Sequence, residues 1–138
     1  MTEKLYQAAR TAAKNAYAPY SNFHVGAALM MTDGSVITGA NVENASYGLS
    51  LCAETVALAK AANDGRLAEV VEIAVVGGNG PEPCRPCGRC RQLINEAAQL
   101  GKRDILIHCL AGGSDAVEQH HLSTLLPHAF GPADLGIG

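Results

Sequence analysis

The alternation of apolar and polar positions divides the chain into a short series of elements. Glu3 to Ala18 has the spacing of an alanine-rich amphipathic helix, with Thr2 as its N-cap and Pro19 as its end. Phe23 to Met31 and Val36 to Asn41 read as two strands joined by the turn Thr32-Asp33-Gly34-Ser35. Glu43 to Ser50, rich in Asn, Ser and Gly, reads as a loop, and a second helix is expected from about Cys52 to Asn63, before Asp64-Gly65. The apolar run Val70 to Val76, closed by Gly77-Gly78, predicts a buried strand. A turn region with Pro81, Pro83 and Pro86 comes next, then a helix from about Cys87 to Leu100 with Gly101 as its C-terminal cap. Asp104 to Leu110 predicts another buried strand, and Ala116 to Leu122 a weaker fifth. The order α-β-β-α-β-α-β-β implies an α/β fold, a three-layer sandwich with one mixed five-stranded sheet flanked by helices.

The 138 residues fit a single domain spanning 1–138, and an apolar fraction of 48% is enough for one core. Tryptophan is absent, so Ala, Val, Leu and Ile must fill the interior. A net charge of −3 argues against a dedicated nucleic-acid binder, which needs clustered Lys and Arg along a phosphate track. The basic cluster Arg85, Arg89 and Arg91 lies among cysteines, which suggests local compensation of negative charge. Met1 to Lys14 carries charges throughout, and no apolar run approaches the ~20 residues of a membrane span. A cytoplasmic protein without membrane or nucleic-acid partners is therefore expected. In a reducing compartment its five cysteines read as metal ligands or catalytic groups rather than disulfides.

The chemistry-bearing residues sit at two helix starts, Cys52-Ala53-Glu54 and Pro86-Cys87-Gly88-Arg89-Cys90. Cys87 and Cys90, three apart, share a helical face. Cys52 can project over its helix end while the longer Glu54 leans back toward the N-terminus, so that both reach a common point. Three thiolates and one open position describe a catalytic rather than a structural zinc site. Helix N-termini aimed at the metal favour thiolates, and Glu54 suits a proton shuttle. A Cys-x-x-Cys taken alone is equally a redox or structural motif. Cys84 and Cys87 have the same spacing as Cys87 and Cys90, but that pair straddles Pro86 in a Pro-rich stretch and shares no helical face. Cys109 reads as core, and His24, His108, His120 and His121 offer no ligand pattern.

Together with these starts, the blocks Pro19-Tyr20-Ser21-Asn22-Phe23, Val25-Gly26-Ala27-Ala28, Asn41 to Leu49, Arg91-Gln92 and Leu125 to Phe130 resemble the small homotetrameric zinc-dependent cytidine deaminases over nearly the whole chain. The resemblance implies one zinc per subunit on Cys52, Cys87 and Cys90, with Glu54 as the proton shuttle. It implies hydrolytic deamination of free cytidine and deoxycytidine in pyrimidine salvage. The Ala53 backbone would contact the base, and Asn41 and Glu43 would bind the ribose hydroxyls, although both could equally cap a loop. Phe23 would line the pocket; Phe130 would stack on the pyrimidine from a neighbouring subunit, with Tyr47 near that interface. Either phenylalanine could equally be core. The family often has Arg directly after the glutamate, where it tempers thiolate charge; here Thr55 stands there. Helix dipoles with Arg89, Arg91 or Gln92 are then expected to compensate.

Three other readings compete. A blasticidin-type deaminase of a modified or antibiotic nucleoside would lack the Asn-x-Glu pair in this form. Polynucleotide editing is opposed by the acidic balance and by a tetramer that would enclose the pocket. A structural zinc module requires neither Glu54 nor an open coordination position.

Overall fold

Residues 2–137 are described by a computed structural model; Met1 and Gly138 lie outside it. One mixed sheet runs in the order β2-β1-β3-β4-β5, from β1 (Val25–Met31), β2 (Val36–Ala40), β3 (Val70–Gly77), β4 (Leu106–Ala111) and β5 (Val117–His121). β3 and β4 are parallel and the other pairs antiparallel. The alternation of side chains across the pleat divides the interior in two. Leu29, Ile73, Val75 and Ile107 meet α2 (Ala53–Asn63) and α3 (Gly88–Gly101) on one face. Ala28, Met30, Ala74 and Val76 meet Leu5 and Ala9 of α1 (Thr2–Ala13) on the other. The expected three-layer sandwich is therefore the observed one.

Several boundaries differ from the sequence reading. Thr2 lies inside α1 rather than capping it, and the helix ends at Ala13 instead of Ala18. The continuation is diverted by pairing: the Tyr17 amide donates to Asn41 O at 2.9 Å, and the Glu43 amide donates to Tyr17 O at 2.9 Å. β1 starts at Val25 rather than Phe23, because the Phe23 and His24 carbonyls accept from the Asn41 side chain and the Gly78 amide. Gly101 is the last residue of α3 rather than its left-handed cap, which is Lys102 at φ 55°. Gly101 is instead required by close approach, since a Cβ there would stand 2.5 Å from Ala68 O. The fifth strand forms as expected, and a short helix α4 (Leu122–Leu125) succeeds it without having been anticipated.

His108 is 1% exposed and belongs to the packing. The Tyr6 hydroxyl donates to its Nδ1 at 2.7 Å, and its Nε2 meets Glu72 Oε1 at 2.6 Å. Cys109, as expected, is core.

α2, with Cys52 as its N-cap and Glu54 in its first turn, is held against β2 at a glycine. A Cβ on Gly39 would lie 2.6 Å from Ala53 O and 2.5 Å from Ala57 N. The first turn of α2 therefore rests directly on strand backbone. Gly39→Ala is expected to lower the thermal midpoint through overpacking of about 1–3 kcal/mol, read by calorimetry. An unchanged midpoint would mean that α2 can retreat from the strand without loss.

Candidate active site

Cys52 and Cys87 occupy equivalent places: each is the extended N-cap residue of its helix, with φ −71° and −69° respectively. Ala53, Glu54 and Thr55 form the first turn of α2, and Gly88 to Cys90 begin α3. The two helices pack on the same sheet face, so their N-termini converge. The Cys52 and Cys87 sulfurs approach to 3.9 Å, and the Sγ atoms of Cys52, Cys87 and Cys90 all lie within 4.8 Å of one another. Tetrahedral zinc with thiolates at about 2.3 Å spaces its sulfurs about 3.8 Å apart. The donor set thus fits zinc in type, number and spacing, and three protein ligands leave one position open. Cys84 is outside this group, as the Pro86 argument required.

The three thiols differ in environment. Burial raises Cys52 above the ordinary thiol range, and the neighbouring Cys87 and Glu54 charges add to this. Cys90 is pushed up further, by burial and then by Glu54. At Cys87 burial acts upward but is outweighed by the amides of Cys90 and Arg89 and by contacts with the other two thiols, so that thiol is lowered. Burial pushes the Cys84 thiol up to about 11. Glu54, 4% exposed, is raised by burial and thereby biased toward holding a proton.

None of the basic or amide side chains expected to moderate the sulfurs is placed on them. Arg91 donates to Pro86 O at 2.8 Å and Leu125 O at 3.1 Å, and Gln92 donates to Phe130 O at 2.8 Å. Arg89 is exposed, and Arg85 forms a two-point ion pair with Glu118 of β5 at 2.9 and 2.6 Å. The residue that does reach a sulfur is Thr55, whose hydroxyl oxygen is 3.7 Å from Cys90 Sγ. The compensation is therefore made of helix-end amides and one neutral hydroxyl.

A cavity of about 360 Å³ opens beside the sulfurs, where the end of β2 and the start of β1 meet the first turn of α2. Phe23, Asn41, Glu43, Ala53 and Glu54 all line it, with Cys52 and Cys87. Cys90 lies buried behind them. Asn41 holds the strand entry: its Oδ1 accepts from the Val25 amide at 2.9 Å, and its Nδ2 donates to Phe23 O at 2.8 Å. Glu43 Oε1 accepts from the amides of Tyr20 and Ser21 at 3.0 and 3.1 Å, and Oε2 accepts from the Ser21 hydroxyl. The Ser21 hydroxyl holds the Glu43 carboxyl below its usual range, with the two amides assisting. Both residues do cap a loop, and each retains hydrogen-bonding capacity toward the cavity: one amide hydrogen on Asn41 and a lone pair on Glu43.

Two expected contacts do not reach this cavity within one chain. Tyr47, 74% exposed, lines an adjoining cavity with Tyr20, Ser21, Glu43 and Ser50. Phe130 is 62% exposed, with its carbonyl fixed to Gln92 and Asn95 of α3. Ser21 and Thr55 were missed as working residues. Ser21 had a local signal, a Ser two residues before an amide it can accept, and the Phe23 amide does donate to it at 3.0 Å. Thr55 had none, because its partner is 35 residues away.

Thr55→Val is expected to weaken zinc retention about 10- to 100-fold, the usual effect of losing a group that supports a metal ligand, whereas Cys84→Ala should leave it unchanged. Chelator competition on the purified proteins measures both. Equal retention in Thr55→Val and the parent would exclude the hydroxyl as a support for the metal.

Comparison with known proteins agrees with this geometry. Residues 1–106 match the family profile described as the cytidine and deoxycytidylate deaminase zinc-binding region. The cytidine deaminase of Halalkalibacterium halodurans is 47% identical over 133 residues, covering 96% of each chain. That of Mycobacterium tuberculosis is 46% identical over 129 residues, 92% of this chain and 87% of its own. The crystal structure of cytidine deaminase from Burkholderia pseudomallei superposes with a TM-score of 0.84 at 46% identity, covering 94% of this chain and 99% of that one. With two cysteine-bearing helix starts, a buried glutamate between them and relatives of this kind along its whole length, this chain belongs to the family of zinc-binding cytidine and deoxycytidylate deaminases.

Proposed function

We propose that this chain is a zinc-dependent hydrolase that converts free cytidine and deoxycytidine to uridine and deoxyuridine, releasing ammonia. The observation that carries the reading is the buried Glu54 carboxyl in the wall of a cavity lined also by Cys52, Cys87 and the Asn41–Glu43 pair, with Cys90 completing the three-sulfur group behind it. Zinc held by Cys52, Cys87 and Cys90 supplies Lewis acidity that lowers the pKa of water from 15.7 to roughly 7. Glu54 accepts a proton from the attacking water as the water oxygen bonds to the ring carbon that carries the amine, and passes it to the ring nitrogen beside that carbon. Glu54 then takes the remaining hydroxyl proton and gives it to the exocyclic amine, so that the carbon–nitrogen bond breaks, ammonia leaves and the ring carbonyl forms. Burial raises the proton affinity of Glu54 above that of an ordinary carboxylate, which suits a group that must hold the proton between the two transfers. The Ala53 amide, at the start of α2, is offered to the base, and Asn41 and Glu43 to the sugar hydroxyls.

A nucleoside suits the cavity better than a nucleotide. Two carboxylates, Glu43 and Glu54, line it, and the cation in its wall, Arg85, is paired with Glu118. A phosphate would meet negative charge and no available counter-charge. A net charge of −3 likewise disfavours polynucleotide substrates. Among the described residues no helix is long and apolar enough to cross a membrane. The intact Asn41–Glu43 pair favours an ordinary ribose over an antibiotic nucleoside, and a structural zinc module would have no use for Glu54.

The single domain works as a homotetramer in the cytoplasm, within pyrimidine salvage. Phe130 supports the assembly: its carbonyl is fixed to α3 while the residue stands 62% exposed, which suits a side chain that completes a neighbouring subunit's pocket and stacks on the pyrimidine there. Tyr47 and Tyr20, whose rings pack at 5.9 Å, form an exposed apolar margin beside the same mouth.

An ultraviolet assay with cytidine, deoxycytidine, cytosine and CMP tests the substrate. Glu54→Ala is expected to lower kcat by at least about 10³-fold while one zinc per chain remains bound; activity surviving the change would defeat the mechanism. Phe130→Ala is expected to raise KM roughly 5- to 150-fold, the equivalent of the ~1–3 kcal/mol of a base–aromatic stack. An unchanged KM would reduce Phe130 to a structural residue.

A further inference from the structure

The turn from Tyr20 to Phe23 gathers hydrogen-bond donors at one point. Asn22 adopts a left-handed conformation at φ 57°, and the Ser21 hydroxyl accepts from the Phe23 amide at 3.0 Å, closing the turn. The amides of Tyr20 and Ser21 and the Ser21 hydroxyl then converge on the carboxylate of Glu43, which lies just beyond the end of β2. Ionised, a carboxylate offers about four acceptor positions. Three are taken by this turn, two on Oε1 and one on Oε2. One position on Oε2 is left, and both Ser21 and Glu43 line the cavity.

We propose that Ser21 is the positioning residue for sugar recognition: by donating to Glu43 Oε2 it orients the carboxylate so that its remaining lone pair meets a ribose hydroxyl. This rests on the reading of Glu43 as a sugar ligand. The donors are all neutral, which keeps Glu43 ionised without adding a cation that would compete for the last lone pair or attract a phosphate. A lysine or arginine in that place would hold the carboxylate as firmly and give up the preference for an uncharged sugar end. The same hydroxyl also fixes the residue after the turn, because it accepts from the amide of Phe23, whose ring lines the cavity and packs over Gly77 and Gly78; a Cβ on Gly78 would stand 2.6 Å from that ring. Ser21 touches no reacting atom and acts through Glu43.

Steady-state kinetics with cytidine and with 3′-deoxycytidine, on the zinc-loaded protein and its Ser21→Ala, Ser21→Thr and Glu43→Ala variants, test the proposal. Ser21→Ala should raise KM for cytidine about tenfold, the scale of one lost charge-assisted hydrogen bond, with kcat nearly unchanged. Cytidine and deoxycytidine share the 3′-hydroxyl, which is therefore the one Glu43 would bind; for 3′-deoxycytidine, which lacks it, the same variant should change KM less than about twofold. Ser21→Thr, which keeps the hydroxyl, should restore the cytidine value. A KM rise of equal size for both substrates would mean that Ser21 only stiffens the loop, and overturns the proposal, as does an unchanged KM. If Glu43→Ala leaves cytidine KM unaltered, the sugar-ligand reading falls and the proposal with it. If Glu43→Ala raises KM and Ser21→Ala does not, Ser21 alone is excluded.

Discussion

The constraint on which the rest depends is the convergence of two helix N-termini over one end of a sheet. Cys52 and Cys87 are both N-cap residues, and their sulfurs stand 3.9 Å apart although they are 35 residues apart in the chain. That proximity requires α2 and α3 to lie side by side on a flat apolar face. The residues that make this possible are small ones: Ala53, Ala57 and Ala61 on α2, and Ala97 and Ala98 on α3, all in the same buried cluster. Gly39 lets the first turn of α2 rest on β2 without an intervening side chain. An alanine-rich, tryptophan-free composition, which looks poor for building a core, is what permits the close approach.

This arrangement explains how much of the molecule is legible in the sequence. The ligand set is legible because each half is a local pattern: a cysteine at a helix start needs only the helix to define where its sulfur points. Pro86 resolves the Cys84 ambiguity for the same reason. The sheet and its helices are legible from apolar periodicity, including the weak fifth strand. The end of α1 is not, because no residue between Lys14 and Ala18 forbids helix. The chain turns there only because Tyr17 finds partners at residues 41 and 43. Gly101 misleads in an instructive way. Its lack of a side chain serves contact with Ala68 O, a tertiary demand, and the left-handed turn falls to Lys102. Periodicity does not place Phe130 and Tyr47, which stand 62% and 74% exposed outside the regular strands and the long helices.

The substrate side of the cavity is built on a different principle from the metal side. Asn41 and Glu43 use most of their hydrogen-bonding capacity on the backbone of residues 20 to 25, so they organise the wall. The capping contacts and the proposed sugar contacts therefore draw on the same two side chains. A pocket whose polar groups are already fixed by backbone partners loses little freedom when a ligand arrives.

Charge decides how far the two halves are compatible. Three thiolates and Glu54 place more negative charge around one point than a single divalent cation neutralises, and the chain as a whole is already at −3. A cation placed on the sulfurs would correct the sum, but it would also lower the proton affinity of Glu54, which lies in the same helical turn as Thr55. The arrangement found uses donors without net charge. Amides of Arg89 and Cys90 face Cys87, a hydroxyl from Thr55 faces Cys90, and the arginines of the same segment are directed to Pro86 O, Leu125 O and Glu118. Hydrogen bonds of this kind stabilise a thiolate locally and decay quickly with distance, whereas a full charge would act across the whole cavity. Glu54 keeps the raised proton affinity its burial confers, and the two thiols deepest in the site remain expensive to ionise without metal. Loading the metal and ionising the sulfurs then become one coupled event.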